Sequence, residues 1–306
     1  MQLTKSYKSK KSNWITSECL GKGEYNLTYH FTEFKERPLS DCMIDAIEQI
    51  KLLSQGKTLG LFLSGGIDSS LIAHYMTETN TDFLPVIIRY DHDLNAHDVN
   101  NALDVTNKLG LDPLILDITH TEFTDYYNEV GMLKYVLPSY SRNQLYWATE
   151  KMGKDFYMVC GEGEPRLFKY QTKDTLGIEM KPDWTALTDR FNKLSGCSLH
   201  HQFYETTPDL WYNYHRHPEV IRLQNSPQDI DNFKERIWGS EYANPKYTGF
   251  ENWRMYYNKV PSKQHIDEVN ALNEQYCVRE ILTLNYDKFW SWMLSPDTQA
   301  HINDLR

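Results

Sequence analysis

LGLFLSGGIDSSLIAHYM, residues 59–76, is an apolar run that stops at Ser-Gly-Gly and gives way to a second apolar pattern after Asp68, Ser69 and Ser70. The first run is short and nearly continuous, as a strand buried on both faces requires, whereas the second has helical spacing. Glycines allow the positive φ of a tight turn and let backbone N–H groups approach a ligand closely. The first N–H groups of a helix have no partner within it, and the positive end of the helix dipole lies there. A strand, a glycine turn and a helix N-terminus together therefore make an anion site. Asp68 has two readings: it caps the helix, or it faces a phosphate across Mg2+, because a carboxylate beside phosphate is otherwise repelled. The loop carries no lysine, so it is not the usual Lys-bearing phosphate loop.

The pattern extends on both sides. DCMIDAIEQIKLLSQG (41–56) has helical spacing and ends at Gly56. FLPVIIRY (83–90), DPLILDI (112–118) and DFYMVC (155–160) read as further buried strands, separated by the helical AHDVNNALDVTNKLG (96–110) and RNQLYWATEKMG (142–153). Continuous apolar strands alternating with helices imply βαβ units, so the fold class is α/β, a doubly wound parallel sheet. Right-handed crossovers put every strand's C-terminal end on one edge, where ligands bind in open α/β sheets. Both SGG (64–66) and GEG (161–163) fall at that edge. Upstream, YNLTYHFTEF (25–34) alternates weakly, as one or two strands would. QHIDEVNALNEQYCVREILTLNYDKFWSWML (264–294) looks helical. The expected organisation is an N-terminal extension over 1–55, the α/β unit over 56–172 and a mostly helical, aromatic-rich C-terminal region over 173–306.

Composition excludes several classes. With 306 residues and 40% hydrophobic content the chain can build a real core. No run approaches the roughly 18 consecutive apolar residues of a membrane span, and basic MQLTKSYKSKKSNW (1–14) lacks the apolar stretch of a signal peptide, reading instead as a loosely docked arm. A net charge of −10 argues against general nucleic-acid binding. The five cysteines (Cys19, Cys42, Cys160, Cys197, Cys277) are scattered without a CxxC, which fits reduced thiols in a cytoplasmic protein. His200 and His201, and His215 and His217, are spaced like metal-ligand pairs but lack Cys or Glu partners at set spacing, so packing is the better reading. Arg89, Asp91 and Asp93 follow the second strand at the ligand edge, as substrate contacts or as a solvated turn.

Ser-Gly-Gly-x-Asp-Ser is expected by chance in roughly one in a few thousand chains of this length, and here it sits in the required strand-to-helix context. LSGGIDSS (63–70) resembles the pyrophosphate loop of the N-type ATP pyrophosphatases, which use serines, backbone amides and Mg2+ in place of the lysine. DFYMVCGEGEPRLFKY (155–170) resembles the asparagine-synthetase pattern Ser-Gly-Glu-Gly-x-Asp-Glu-x-Phe-x-x-Tyr at Gly161, Glu162, Gly163 and Phe168, and loosely at Tyr170. The resemblance spans about residues 55–172 and implies an adenine nucleotide alpha hydrolase-like fold binding ATP and Mg2+. It implies that Leu63, Ile88 and Cys160 flank adenosine, with Gly161 beside them. By the same carry-over Ser64, Gly65, Gly66, Ser69 and Ser70 hold phosphates, Asp68 binds Mg2+, and Glu162 assists an amine attacking an acyl-adenylate.

The departures are as informative. Pro165 and Arg166 stand where the family carries Asp and Glu, so Glu164 becomes the second expected metal ligand. The pyrophosphate-stabilising lysine of asparagine synthetases has no secure counterpart; Lys169, Lys173, Lys181 and Lys288 are the candidates. Glutamine-dependent relatives begin with a catalytic Cys after Met and a glutaminase domain, whereas residue 2 here is Gln and the loop begins before residue 65. The expectation is an AMP-forming ligase without intrinsic glutaminase. It would act on a small-molecule carboxylate or similar acceptor, with nitrogen from ammonia, an amine or a separate glutaminase. A homodimer is left open. The alternatives are a nucleotide-binding protein that holds ATP without turnover, and a PP-loop enzyme modifying a base, sugar or peptide.

Overall fold

The computed structural model describes residues 7–10, 14–21, 24–30, 35–131, 134–135, 143–161, 166–169, 176–179, 182–225, 233–239, 242 and 278–284. Tyr7–Lys10 (β1), Ile15–Gly21 (β2) and Glu24–His30 (β3) pair antiparallel in sequence order. Leu39–Ser54 (α1) leads into the alternating region. There Thr58–Phe62 (β4), Ile67–Glu78 (α2), Leu84–Tyr90 (β5), Ala96–Leu109 (α3), Leu114–Ile118 (β6), His120–Tyr126 (α4), Asn143–Met152 (α5) and Phe156–Cys160 (β7) follow one another. Arg166–Lys169 (β8) and Leu176–Glu179 (β9) form an antiparallel pair. Pro182–Ser195 (α6), Ser198–His200 (β10), Pro208–Arg216 (α7), Pro218–Asn225 (α8), Phe233–Trp238 (α9) and Val278–Leu284 (β11) complete the described elements.

The central sheet has the order β10-β7-β4-β5-β6, and every neighbouring pair is parallel. The chain runs outward from β4 through β5 to β6, then returns to the other side of β4 for β7 and β10. The direction of winding therefore reverses between β4 and β7. In open α/β sheets that reversal opens a crevice at the strands' C-terminal ends.

Side-chain alternation explains why the strands are apolar throughout. Leu59, Leu61 and Leu63 enter a core shared with Ile47, Ile50, Ile72, Met76 and Ala102 of α1, α2 and α3. Phe62, between them, enters a second core on the opposite face with Val86, Leu145, Ala148 and Met158. Successive residues of a strand point to opposite faces, so a sheet covered on both sides needs apolar residues at every position. Leu61 and Val86 are fully buried, and burying each such side chain contributes about 1.5–3 kcal/mol.

Two sequence expectations change. Tyr7–Lys10, expected in a loose arm, is a strand registered against Thr16–Cys19, and nearby Trp14 is buried with its indole N–H donating to the Glu205 carbonyl at 2.8 Å. Val278–Leu284 lies in the stretch whose spacing predicts helix, yet it is a strand pairing parallel with β3. VREILTL carries Val, Ile and Thr, which suit a pleated surface, and a ready sheet edge outweighs the local spacing. Among the described residues no helix is long and apolar enough to cross a membrane.

Candidate functional site

β4 ends at Phe62, and the Leu63 N–H still reaches the Val86 carbonyl at 2.9 Å, so the strand delivers Ser64 directly to the sheet edge. Gly65 then turns with φ +69°, a left-handed conformation that favours glycine. Its missing side chain matters equally: a Cβ there would lie 2.5 Å from the backbone nitrogen of Ala102 in α3. Gly66 is the N-cap of α2 and provides no side-chain cap. The capping role considered for Asp68 is therefore not observed; Asp68 sits inside the first turn.

That carboxylate has two protein donors. Tyr204 Oη donates to Oδ1 at 2.9 Å and Lys234 Nζ donates to Oδ2 at 2.6 Å. Only 16% of the Asp68 side chain and 26% of Lys234 is exposed, so the pair is partly withdrawn from water. Lys234 and Trp238 are four apart on α9 and share one helix face. Trp238 packs against Tyr214 at 6.1 Å and Tyr204 at 6.2 Å between ring centroids, and this aromatic group anchors α9 over the loop.

The loop hydroxyls hold one another through long contacts. Ser69 Oγ donates to the Gly66 carbonyl at 3.1 Å, Ser64 Oγ lies 3.4 Å from Ser69 Oγ, and the Gly66 N–H reaches Ser64 Oγ at 3.4 Å. Hydrogen bonds of that length are weak. An anion accepting from the same donors can replace them.

Gly161, which opens the second glycine segment, lies against the first turn. Cys160 of β7 registers with Phe62 of β4, and a Cβ on Gly161 would stand 2.9 Å from the Ser69 backbone nitrogen. One cavity at this crevice is lined by Leu63, Ser64, Gly66, Asp68, Ser69, Ile88, Cys160 and Gly161, all expected from sequence. Gly65 and Ser70, also expected to hold phosphate, do not line it. Gly65 is spent on packing against α3. Ser70 is buried with its Oγ unpartnered, one residue further round α2 and on the core side. Glu162, Glu164 and Pro165 lie outside the described residues.

Other lining residues had no sequence signal. Asn95 fixes the end of β5, accepting from the Tyr90 N–H at 2.9 Å and donating to the Ile88 carbonyl at 2.8 Å. Tyr90 Oη donates to Gln144 Oε1, which brings α5 to the cavity wall. Asp98 adds a second carboxylate to the lining. Small hard cations take one or two carboxylates plus phosphate and water oxygens, and Asp68 and Asp98 are the carboxylates of this lining.

Among the lysines proposed from sequence, Lys173, Lys181 and Lys288 lie outside the described residues, and Lys169 lies in β8. Among the described residues Lys234 reaches the loop, and it sits in NFKERIW without a motif. Arg89 is committed to Asp117, with bonds of 2.6 and 2.9 Å. The histidine pairs prove to be packing residues. His200 bridges Tyr157 and Thr206, while His215 Nδ1 donates to the Trp211 carbonyl at 2.6 Å and burial pushes its pKa down to about 4. Burial likewise pushes the Cys42 thiol up to about 11, which leaves it un-ionised at neutral pH.

Comparison with known proteins gives one family match. Residues 47–164 match the asparagine synthase family model. The chain matches no curated protein. Three solved structures align over most of it. The NH3-dependent NAD synthetase from Campylobacter jejuni subsp. jejuni, solved with nitrate, shows 14% identity over 78% of this chain and 92% of its own, at a TM-score of 0.35. The NMN synthetase from Francisella tularensis shows 11% identity over 76% and 97%, at 0.33. The glutamine-dependent NAD+ synthetase from Acinetobacter baumannii, solved with ADP, shows 14% over 83% and 48%, at 0.35. These superpositions are too loose to transfer any ligand. The family match, which spans less than half of the chain, coincides with the segment that builds the crevice: residues 47–164 are similar to the asparagine synthase family.

Proposed function

We propose that the chain is an AMP-forming carbon–nitrogen ligase that activates a carboxylate, or an amide oxygen, with ATP. The observation behind this reading is the single cavity in which the Ser64–Ser69 loop, the apolar Leu63, Ile88 and Cys160, and the second glycine turn at Gly161 converge. Leu63, Ile88 and Cys160 take the adenosine. Ser64, Ser69 and the amide of Gly66 donate to the β- and γ-phosphates at the N-terminus of α2. Lys234 supplies the fixed positive charge that the loop lacks, and Asp68 and Tyr204 hold it in place. Asp68 and Asp98 would hold Mg2+, which neutralises phosphate charge when bound.

The acceptor oxygen attacks the α-phosphorus, and the bond to the bridging oxygen breaks with release of pyrophosphate. A nitrogen nucleophile then attacks the acyl carbon, and AMP leaves. Glu162 is placed by sequence to orient that nucleophile or take its proton. Holding the reactants in line supplies most of the rate, as in other phosphoryl chemistry where the protein chiefly positions groups. The nitrogen comes from ammonia, a substrate amine or a separate glutaminase.

The replacement of two acidic family positions by Pro165 and Arg166 favours a second reading, ATP binding without turnover. Calorimetry with Mg2+ and ATP, run beside a pyrophosphate assay with ammonium and a carboxylate panel, separates the two. Binding with acceptor-dependent pyrophosphate release supports the ligase; binding with silence across the panel supports the second reading.

A further inference from the structure

β5 and β6 are parallel neighbours with Tyr90 opposite Ile118, so the residues just past each strand meet at the ligand edge of the sheet. Asp91 and His92 follow β5, and His120 opens α4 after β6. Asp91 Oδ1 accepts from the His120 backbone N–H at 2.9 Å, and Oδ2 lies 2.9 Å from His120 Nδ1. His92 Nε2 lies 3.7 Å from the same Oδ2, and the two imidazole rings stand 5.6 Å apart. One ligand atom from each of the three residues falls within 4.8 Å of the others.

We propose that Asp91, His92 and His120 bind a borderline first-row divalent cation of the Zn2+ class. Two imidazoles and one carboxylate select such ions, whereas Mg2+ and Ca2+ require oxygen ligands. Zinc bonds of about 2.0–2.2 Å at tetrahedral angles leave ligand atoms about 3.3–3.5 Å apart. The 2.9 and 3.7 Å separations from Asp91 Oδ2 bracket that spacing and the third pair lies within 4.8 Å, so side-chain rotation brings the three onto one ion. The supporting bonds are also those of a ligand set. The His120 N–H orients the Asp91 carboxylate, and with Nδ1 on the metal the His120 Nε2–H faces Thr121 Oγ1 at 3.4 Å. His92 has φ +54° and ψ 28°, a left-handed backbone that histidine tolerates better than most residues, and its side chain is 66% exposed, so core packing does not account for its placement.

Three protein ligands leave the fourth position to water or a substrate atom, the pattern of open rather than structural zinc sites. The cation sits one residue past Tyr90, a wall residue of the nucleotide cavity, and is separate from the Asp68 loop.

Titrating the metal-stripped full chain, free of any histidine tag, with Co2+ tests this by visible absorption. A saturable tetrahedral Co2+ band at a single equivalent, displaced by Zn2+ but not by excess Mg2+, is the expected result. His92→Ala and His120→Ala should each weaken Co2+ binding by at least about tenfold. Should His120→Ala fail to fold, His92→Ala decides, because its exposed side chain supports no core. Absence of the band, displacement by Mg2+ as readily as by Zn2+, or unchanged affinity in the His92 variant overturns the assignment.

Discussion

Asp68 and Lys234 are 166 residues apart in sequence yet 2.6 Å apart in space, and the proposed chemistry concentrates on them. Lys234→Met removes the charge proposed to face the phosphates. Pyrophosphate formation should fall by about 100-fold, chiefly in kcat, because a donor aimed at developing charge matters most in the transition state. Asp68→Asn should lower the rate by a similar factor, with a rise in the Mg2+ needed for half-maximal rate; an unchanged metal requirement would remove Asp68 from the metal site. His215 gives a prediction independent of catalysis. The unfolded imidazole takes a proton below about 6.5, whereas the buried ring does so only below about 4. Its contribution is therefore complete above pH 6.5 and is lost as pH falls toward 4, an effect of roughly 3 kcal/mol. Urea midpoints of His215→Leu should change less over that window than those of the wild type. The loop residues that line the cavity were legible because a short motif fixes their spacing. Tyr204 and Lys234 were not, since neither lies in a motif and both arrive through tertiary packing of the C-terminal helices.

Among the elements, β4 to β7 and the helices α2, α3 and α5 were readable because buried parallel strands are apolar at every position and their crossover helices keep one apolar stripe, whereas the short α4 was not. β10 was not, because SLH is three residues long and takes its place only by pairing with β7. β11 was hidden for the opposite reason: its apolar spacing suits a helix until the free edge of β3 claims it. The turn after β4 is the element most exposed to a single change. Gly65→Ala should destabilise the fold by at least about 2 kcal/mol, read as a lower urea midpoint, since a left-handed backbone and a collision with the α3 backbone add together. Trp238→Ala tests how the C-terminal helices serve the loop. Losing the anchor of α9 should cost about 3–5 kcal/mol in stability, and it should also raise the KM for ATP as Lys234 loses its position.

For the molecule as a whole, winding in both directions from β4 creates the crevice, and the first glycine turn and Gly161 meet there from adjacent strands. The sequence motif announced an anion site, while the strand order explains why a second loop from β7 faces it. The proposed ligase cleaves ATP between the α- and β-phosphates. The direct measurement is 31P NMR of the products formed from ATP and Mg2+ with ammonium and a panel of carboxylates. AMP and pyrophosphate appearing together, dependent on one acceptor and lost in Asp68→Asn, is the predicted result; ADP and inorganic phosphate would contradict it.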